Sequence, residues 1–192
     1  MGNVVVSQFI TLDGVFQDPG GVGEFDRGGW AFQFDRGEEG NRFKLEEVMA
    51  ADALLLGRVT YEGFAKAWPS RTDEVGFADK MNGMPKYVVS STLERGSWNN
   101  TTVIRGNVGG EVQRLKERVG GDILINGSGR LVRTLMEDEL VDEYRLMVYP
   151  VVLGTGARLF AEEGTMSRLQ LTGTVQAGEC LILTYRPGPQ VA

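Results

Sequence analysis

Short apolar segments alternate with segments of helical spacing along most of this chain. The run at residues 53–56 is apolar throughout and stops at Gly57, and the run at residues 122–126 leads into Gly127 and Gly129. Apolar runs without polar alternation are typical of strands covered on both faces, as in parallel sheets whose crossover helices pack on either side. The alternation therefore predicts an α/β fold with a mostly parallel sheet.

Local patterns assign the individual elements. Strands are predicted at residues 3–11, 53–56, 86–91, 102–105, 122–126, 142–153, 168–175 and 179–186, and helices at residues 41–50, 60–67, 111–119 and 130–138. A turn at Ala177 and Gly178 joins the last two strands as an antiparallel hairpin. Without a repeat or linker, residues 1–192 are predicted to form one domain, a mixed, mainly parallel sheet with helices on both faces.

The segment from residue 13 to residue 40 fits neither pattern. It is rich in glycine, yet Phe16, Phe25, Trp30 and Phe34 interrupt it. Disordered segments are poor in aromatic residues, and long ordered loops in compact domains are usually functional. We therefore expect an ordered loop that covers a site.

Composition narrows the chemistry. The 192 residues include no histidine and one cysteine, Cys180, and the net charge is −6. Catalysis by Ser-His-Asp, Cys-His or an imidazole base is excluded, and a zinc or non-haem iron site would need carboxylates alone. The absence of a basic cluster argues against nucleic acid as the main partner. The sequence has no signal peptide and no run long enough to span a membrane, which predicts a cytoplasmic protein without a membrane partner.

The strongest motif is the turn of Asn126, Gly127, Ser128 and Gly129, which joins a buried strand to a helix that begins near Arg130 and Leu131. Glycines let the backbone approach an anion, and the unpaired N–H groups of a helix's first turn point at it. Ser128 and Arg130 add a hydroxyl and a charge. A tight turn without a ligand would need the same glycines, so both interpretations stay open.

Two further strand ends carry similar groups. Gly57, Arg58 and Thr60 offer a guanidinium, a hydroxyl and helix N–H groups, although Thr60 alone would also serve as a helix cap. Ser90 and Ser91 lie at the carboxyl end of the predicted strand that begins at Lys86. Because ligands of open α/β sheets lie beyond the carboxyl ends of the strands, the three ends together predict a ligand with several phosphates.

In this order, the motifs resemble proteins of the dihydrofolate-reductase-like superfamily. They are TLDG (11–14), LLLGRVTYEGF (54–64), MPKYVVSSTL (84–93), INGSGRLVRTLME (125–137) and LVDEYRLMVYPVVLGTGARLF (140–160). The similarity covers residues 1–186 and is greatest to the reductase domain of the bifunctional riboflavin-biosynthesis deaminase-reductase. This resemblance implies a three-layer fold and NADPH as cofactor. It assigns the cofactor contacts to Gly57, Arg58, Thr60, Tyr61, Ser90, Ser91, Asn126, Gly127, Ser128, Gly129, Arg130 and Leu131.

The resemblance also places Asp13 beside the nicotinamide and the substrate, as a candidate proton donor. Its alternative role is to fix a turn with Gly14. The segment at residues 15–40 departs from the pattern because it lacks the Trp-to-Asp stretch that holds the pterin in dihydrofolate reductases, and Asp35 is the nearest candidate for that carboxylate. The zinc ligands of a deaminase domain are absent as well.

The resulting hypothesis is an NADPH-dependent reductase of a small polar substrate, either a ribosylaminopyrimidine or a pterin-like compound. Arg27, Arg36 or Lys44 would hold a substrate phosphate, and the spacing favours none of them. The alternative is a nucleotide-binding module with a regulatory or lost catalytic function, which binds without turnover. A Rossmann dehydrogenase is disfavoured because the third glycine of its motif is missing. A homodimer is a further possibility, suggested by the apolar segment 142–153.

Overall fold

A computed structural model describes residues 1–160 and 166–189. The strands are β1 (Asn3–Thr11), β2 (Ala51–Gly57), β3 (Lys86–Val89), β4 (Thr101–Ile104), β5 (Asp122–Asn126), β6 (Glu143–Tyr149), β7 (Leu169–Ala177) and β8 (Cys180–Pro187). The α-helices are α1 (Gly37–Ala50), α2 (Arg58–Ala67), α3 (Phe77–Gly83), α4 (Val108–Arg118) and α5 (Gly129–Glu137), and one 3-10 turn covers Trp30–Gln33.

The described strands form an eight-stranded sheet in the order β4-β3-β2-β5-β1-β6-β8-β7. All pairs from β4 to β6 are parallel, while β8 runs antiparallel to both β6 and β7. The predicted fold class is confirmed, including the antiparallel C-terminal hairpin. Its turn lies one residue later than predicted, because Ala177 still pairs with Cys180 and the left-handed backbone of Gly178 (φ 57°) begins the reversal.

Helices cover both faces of the sheet. Alternate side chains of β1 show the two sides, because Val4 and Val6 pack against α4 and α5 while Val5 packs with residues of α1, α2 and α3. All three valines are at most 1% exposed. A central strand buried on both faces needs apolar side chains at successive positions, which explains the run without alternation.

Each predicted helix begins earlier than expected, by one residue in α5, two in α2, three in α4 and four in α1, and one helix was not predicted. Helix α1 begins at Gly37 rather than residue 41, and the Asp35 carboxylate accepts a hydrogen bond from the N–H of Gly37 at 2.7 Å. Helix α3 was missed, because its seven residues are too few for a periodic signal. Its start is nevertheless marked by Asp73, whose carboxylate accepts the N–H groups of Phe77 and Ala78.

Much of the apolar segment that suggested a dimer is buried within the chain. Tyr144, Met147 and Tyr149 of β6 are each no more than 3% exposed. Helices and the loop before α1 cover these three side chains, whereas Val152 of the same segment is 66% exposed, and the homodimer stays a prediction. Among the described residues, no helix combines the length and the apolar character needed to cross a membrane.

Candidate functional site

The connections of the sheet create a crevice at the carboxyl ends of β1 and β5. Helix α1 connects β1 to β2 on one face of the sheet, and β2 lies to one side of β1 in the strand order. Helix α5 connects β5 to β6 on the opposite face, and β6 lies in the other direction along the sheet. Crossovers that leave two adjacent strands on opposite faces of the sheet leave a crevice beyond the strand ends, and this is where α/β proteins bind ligands. Ser7 of β1 pairs with Asn126 of β5 at its floor.

Gln8 holds the glycine turn in place at this floor. Its side-chain amide donates to the carbonyl of Gly127 at 2.5 Å and accepts the N–H of the same residue at 3.1 Å. The Asn126 side chain donates to the carbonyl of Ser7 at 3.2 Å. Gln8 is 4% exposed, so no solvent replaces these bonds. The sequence did not reveal this role, because glutamine in an apolar strand carries no local signal.

The turns after β2 and β5 are joined through Ser128. Its hydroxyl accepts the N–H of Gly57 at 2.8 Å, and its own N–H donates to the Thr60 hydroxyl at 3.1 Å. Gly127 and Ser128 both adopt left-handed backbone (φ 57° and 60°). A Cβ on Gly127 would lie 2.6 Å from the Thr60 hydroxyl oxygen. Glycine is therefore required there for the close approach of the two turns as well as for the backbone conformation.

Two helix N-termini meet at this junction. Within residues 1–160 and 166–189, no side chain caps the start of α2 or of α5. The first three N–H groups of a helix have no partner inside it, and the helix dipole adds partial positive charge. Arg58 and Arg130, the exposed first and second residues of their helices, add two guanidinium groups. The junction therefore has the donor set of an anion site, and this donor set fits a diphosphate.

The other predicted cofactor contacts have different surroundings. Tyr61 is 1% exposed and its hydroxyl accepts the N–H of Trp98 at 2.8 Å, while Leu131 is 6% exposed in the core. Their side chains therefore do not face a ligand. Ser90 shapes the turn after β3, because its hydroxyl accepts the N–H of Leu93 at 2.9 Å, and Ser91 is exposed beside it. Val89 pairs with Gly57, so both serines follow at the same edge of the sheet.

Asp13 connects two loops. Its carboxylate accepts the Thr11 hydroxyl at 2.6 Å and the N–H groups of Leu153 and Gly154 at 3.1 and 2.8 Å. These hydrogen bonds, that from Thr11 foremost, lower the pKa of Asp13 to about 2. The carboxylate is thereby held in its ionised form in this structure, and the role of Asp13 as a proton donor stays a prediction. Its structural partners are Leu153 and Gly154 rather than the expected Gly14.

The long loop before α1 crosses the crevice. The Phe16 ring lies on the first residue of α5, since a Cβ on Gly129 would come within 2.3 Å of its tip. Farther along, Val22 reaches Gly63 of α2. Trp30 anchors the loop because its ring packs in the core, and its indole N–H donates to the carbonyl of Gln17 within the loop at 2.8 Å. The loop thus covers the junction of the two helix N-termini.

Polar residues of α1 line the opposite side of the crevice. The Ser7 hydroxyl donates to Glu47 and accepts from the Lys44 ammonium, both at 2.8 Å. Lys44 also contacts Glu47 directly. The second oxygen of Glu47 has no hydrogen-bond partner among the described residues and lies 3.7 Å from the guanidinium of Arg145. Sequence reasoning missed Glu47 and Arg145, because charged residues on an amphipathic helix usually face solvent.

Asp35 does not occupy this position. Its residue is exposed, its carboxylate accepts the N–H of Gly37, and its backbone pairs with Glu179 in the turn between β7 and β8. The carboxylate of α1 that faces β1 is Glu47 instead. The candidate for a pterin-binding carboxylate was therefore wrong.

Solved structures share this fold. A chain from Shewanella sp. PV-4, described as a riboflavin biosynthesis protein, superposes with a TM-score of 0.72 at 20% identity, with 97% of this chain and 99% of that chain covered. A pyrimidine reductase-like protein from Corynebacterium diphtheriae gives 0.69 at 12% identity, with 98% and 92% covered. RibD of Acinetobacter baumannii gives 0.67 at 14%, and the match spans 98% of this chain but 59% of that chain.

Sequence comparison identifies the family. The uncharacterised protein YwjB of Bacillus subtilis (strain 168) is 30% identical over 176 residues, which cover 92% of each chain. YyaP of the same organism is 30% identical over 174 residues, covering 89% of this chain and 87% of its own length. The family model of the RibD C-terminal domain matches residues 3–183. The chain therefore belongs to the RibD C-terminal domain family.

Proposed function

We propose that this protein is an NADPH-dependent reductase of a small polar substrate. The observation that carries the proposal is the junction of two uncapped helix N-termini, tied together by Ser128 at the edge of a sheet crevice. Two such N-termini side by side supply more N–H donors than a single phosphate needs, which favours a diphosphate. Membership of a reductase-like family supports the same conclusion.

The residues present fit this cofactor. The N–H groups that begin α2 and α5, with the side chains of Arg58 and Arg130, would hold the diphosphate. The exposed Ser91 and the nearby Arg95 would hold the 2′-phosphate that distinguishes NADPH from NADH. When bound, NADPH supplies the hydride. Gln8 and Asn126 keep the crevice floor rigid, and the Phe16 loop would exclude water above it.

A ribosylaminopyrimidine is the first substrate that we propose. One structural neighbour is described as a riboflavin biosynthesis protein and another as a pyrimidine reductase-like protein, which supports this choice. The crevice offers polar groups on its α1 side, where Ser7 and Lys44 lie. Such groups suit a polar ring or sugar better than an apolar one.

Fluorescence titration with NADPH and NADH tests the cofactor. We expect saturable NADPH binding, much weaker NADH binding, and loss of affinity in Arg130→Ala and Ser91→Ala. Arg114→Ala is the matched control, because Arg114 is an exposed arginine of α4 paired with Glu111. Failure of the wild-type protein to bind either nucleotide would reject the reductase proposal.

Turnover separates the reductase from a binding module that uses the same cradle. With the ribosylaminopyrimidine and NADPH, loss of absorbance at the nicotinamide band supports a reductase. Tight NADPH binding without oxidation of the cofactor by any candidate substrate would favour the module.

A further inference from the structure

The loop that joins β3 to β4 covers residues 90–100 and contains no helix. Its first residue still pairs with β4, because the N–H of Ser90 donates to the carbonyl of Ile104 at 3.0 Å. Ser91 and Arg95, the side chains proposed above for the 2′-phosphate, lie in this loop and are exposed. The contacts that hold the loop therefore also fix the positions of these two residues.

Two side chains hold the first half of the loop. The Ser90 hydroxyl accepts the N–H groups of Thr92 and Leu93 at 3.2 and 2.9 Å. Arg105, the residue that follows β4, donates to the carbonyls of Leu93 and Glu94 at 3.0 and 2.6 Å. Both carbonyls accept from the same nitrogen, Nη2, so they point to one side of the loop.

Because peptide groups are planar, Arg105 also orients N–H groups. In a trans peptide the N–H points opposite to the carbonyl of the preceding residue. With the carbonyls of Leu93 and Glu94 directed at Arg105, the N–H groups of Glu94 and Arg95 point away from it. In the part of the chain that the structure describes, neither N–H has an acceptor. The loop thus presents two consecutive main-chain donors within four residues of Ser91.

Positive charge exceeds negative charge around these donors. Arg95 and Arg105 contribute two guanidinium groups, whereas Glu94 contributes the one carboxylate of the segment 90–105. All three residues are exposed. A phosphate monoester carries about two negative charges at neutral pH, and consecutive main-chain N–H groups beside a cation suit such a group. This arrangement favours an anion over a neutral hydroxyl group.

We propose that Arg105 is a positioning residue for nucleotide selectivity, because it directs the N–H groups of Glu94 and Arg95 at the 2′-phosphate of NADPH. This inference rests on the proposed reductase function, and it adds two main-chain donors to the side chains of Ser91 and Arg95. NADH has a hydroxyl group in place of this phosphate. Loss of the Arg105 contacts therefore weakens the binding of NADPH and leaves that of NADH unchanged.

Fluorescence titration of Arg105→Met with NADPH and NADH tests the proposal. Methionine keeps an unbranched side chain and donates no hydrogen bond. We expect the Kd of NADPH to rise roughly tenfold and the Kd of NADH to stay the same. Arg118→Met is the matched control, because it removes the same charge from the groove between β4 and α4 that Arg105 also lines. Its guanidinium donates to the carbonyl of Arg114 in α4 instead of the loop.

Amide hydrogen exchange of the free protein separates a positioning role from an effect of charge. Arg105→Met should speed exchange at Thr92 and Leu93, whose N–H groups bond to Ser90, whereas Arg118→Met should not. Unchanged exchange or unchanged NADPH affinity in Arg105→Met would overturn the proposal, and so would an equal loss of NADPH affinity in both variants.

The wild-type protein distinguishes failure of this inference from failure of the proposed function. Equal affinity for NADPH and NADH would overturn the role of Arg105 without rejecting a reductase. Binding of neither nucleotide would reject the reductase proposal and this inference with it.

Discussion

Lys86 gives the sharpest prediction about the energetics of the fold. It begins β3, is 0% exposed, and its ammonium donates to the carbonyl of Asn82 at 2.6 Å and lies 4.2 Å from the centroid of the Trp98 ring. Burial lowers the pKa of Lys86 from 10.5 to about 8. As the pH rises, the folded protein therefore loses this proton at a lower pH than the unfolded chain does.

The direction of the pH effect follows from proton linkage. Below pH 8 both states carry the proton, and between pH 8 and 10.5 only the unfolded chain keeps it. The free energy of unfolding therefore rises with pH across this window and reaches its full gain above 10.5. At 1.36 kcal/mol per pH unit, the difference in pKa corresponds to a gain of about 3 kcal/mol.

Lys86→Met isolates this contribution, because methionine has a similar length and no charge. Urea unfolding followed by circular dichroism at several pH values from 7 to 10.5 gives the free energy for both proteins. We expect the difference in the free energy of unfolding, wild type minus Lys86→Met, to increase by about 3 kcal/mol over that range. The titration of tyrosines is the same in both proteins and cancels in the difference. Lys66→Met, at an exposed lysine of α2, should give a flat difference. A flat difference for Lys86→Met too would refute the reasoning.

Three further predictions concern the crevice. Gln8→Leu leaves the N–H and the carbonyl of Gly127 without their hydrogen-bond partner, so it should lower the free energy of unfolding in urea by about 2–4 kcal/mol. The same substitution should weaken the binding of NADPH in a titration. Gly127→Ala should destabilise by about 1–3 kcal/mol in thermal unfolding, because φ is 57° and the new Cβ meets Thr60, whereas Gly120→Ala, which meets nothing within 4 Å, should be neutral. Asp13→Asn should destabilise by about 1–2 kcal/mol at pH 7. Since the folded pKa of Asp13 is lowered from 3.8 to about 2, that difference should vanish in unfolding curves as the pH falls through this range.

Much of the fold follows from local pattern. The strand at residues 122–126 was predicted with the bounds that the structure has, and so was the strand at residues 3–11. An uninterrupted apolar run already indicates that both faces of a strand are covered, and a glycine after it indicates where the chain turns. Helix α3 was missed because seven residues carry too little periodicity.

The candidate site also has features that the sequence predicts and features that depend on the tertiary structure. The turns at Gly57 and Gly127 were predicted as neighbours of a phosphate, because glycine and a following helix are visible in a few consecutive residues. Their connection through the Ser128 hydroxyl was not, since it depends on β2 and β5 being adjacent in the sheet. The hydrogen bonds of Asp13 to Leu153 and Gly154 were not predicted either, since they join residues 140 and 141 positions apart.

The sequence by itself determined the strand order along the chain and the glycine turns, because each is decided by the side chains and backbone freedom of neighbouring residues. Only the tertiary structure decided what those turns face. Gln8 and Gly127 are 119 residues apart, and Ser7 and Glu47 are 40 apart. Contacts over such separations depend on strand order and on the side of the sheet that each helix covers. Those are properties of the packed core, and no local pattern carries them.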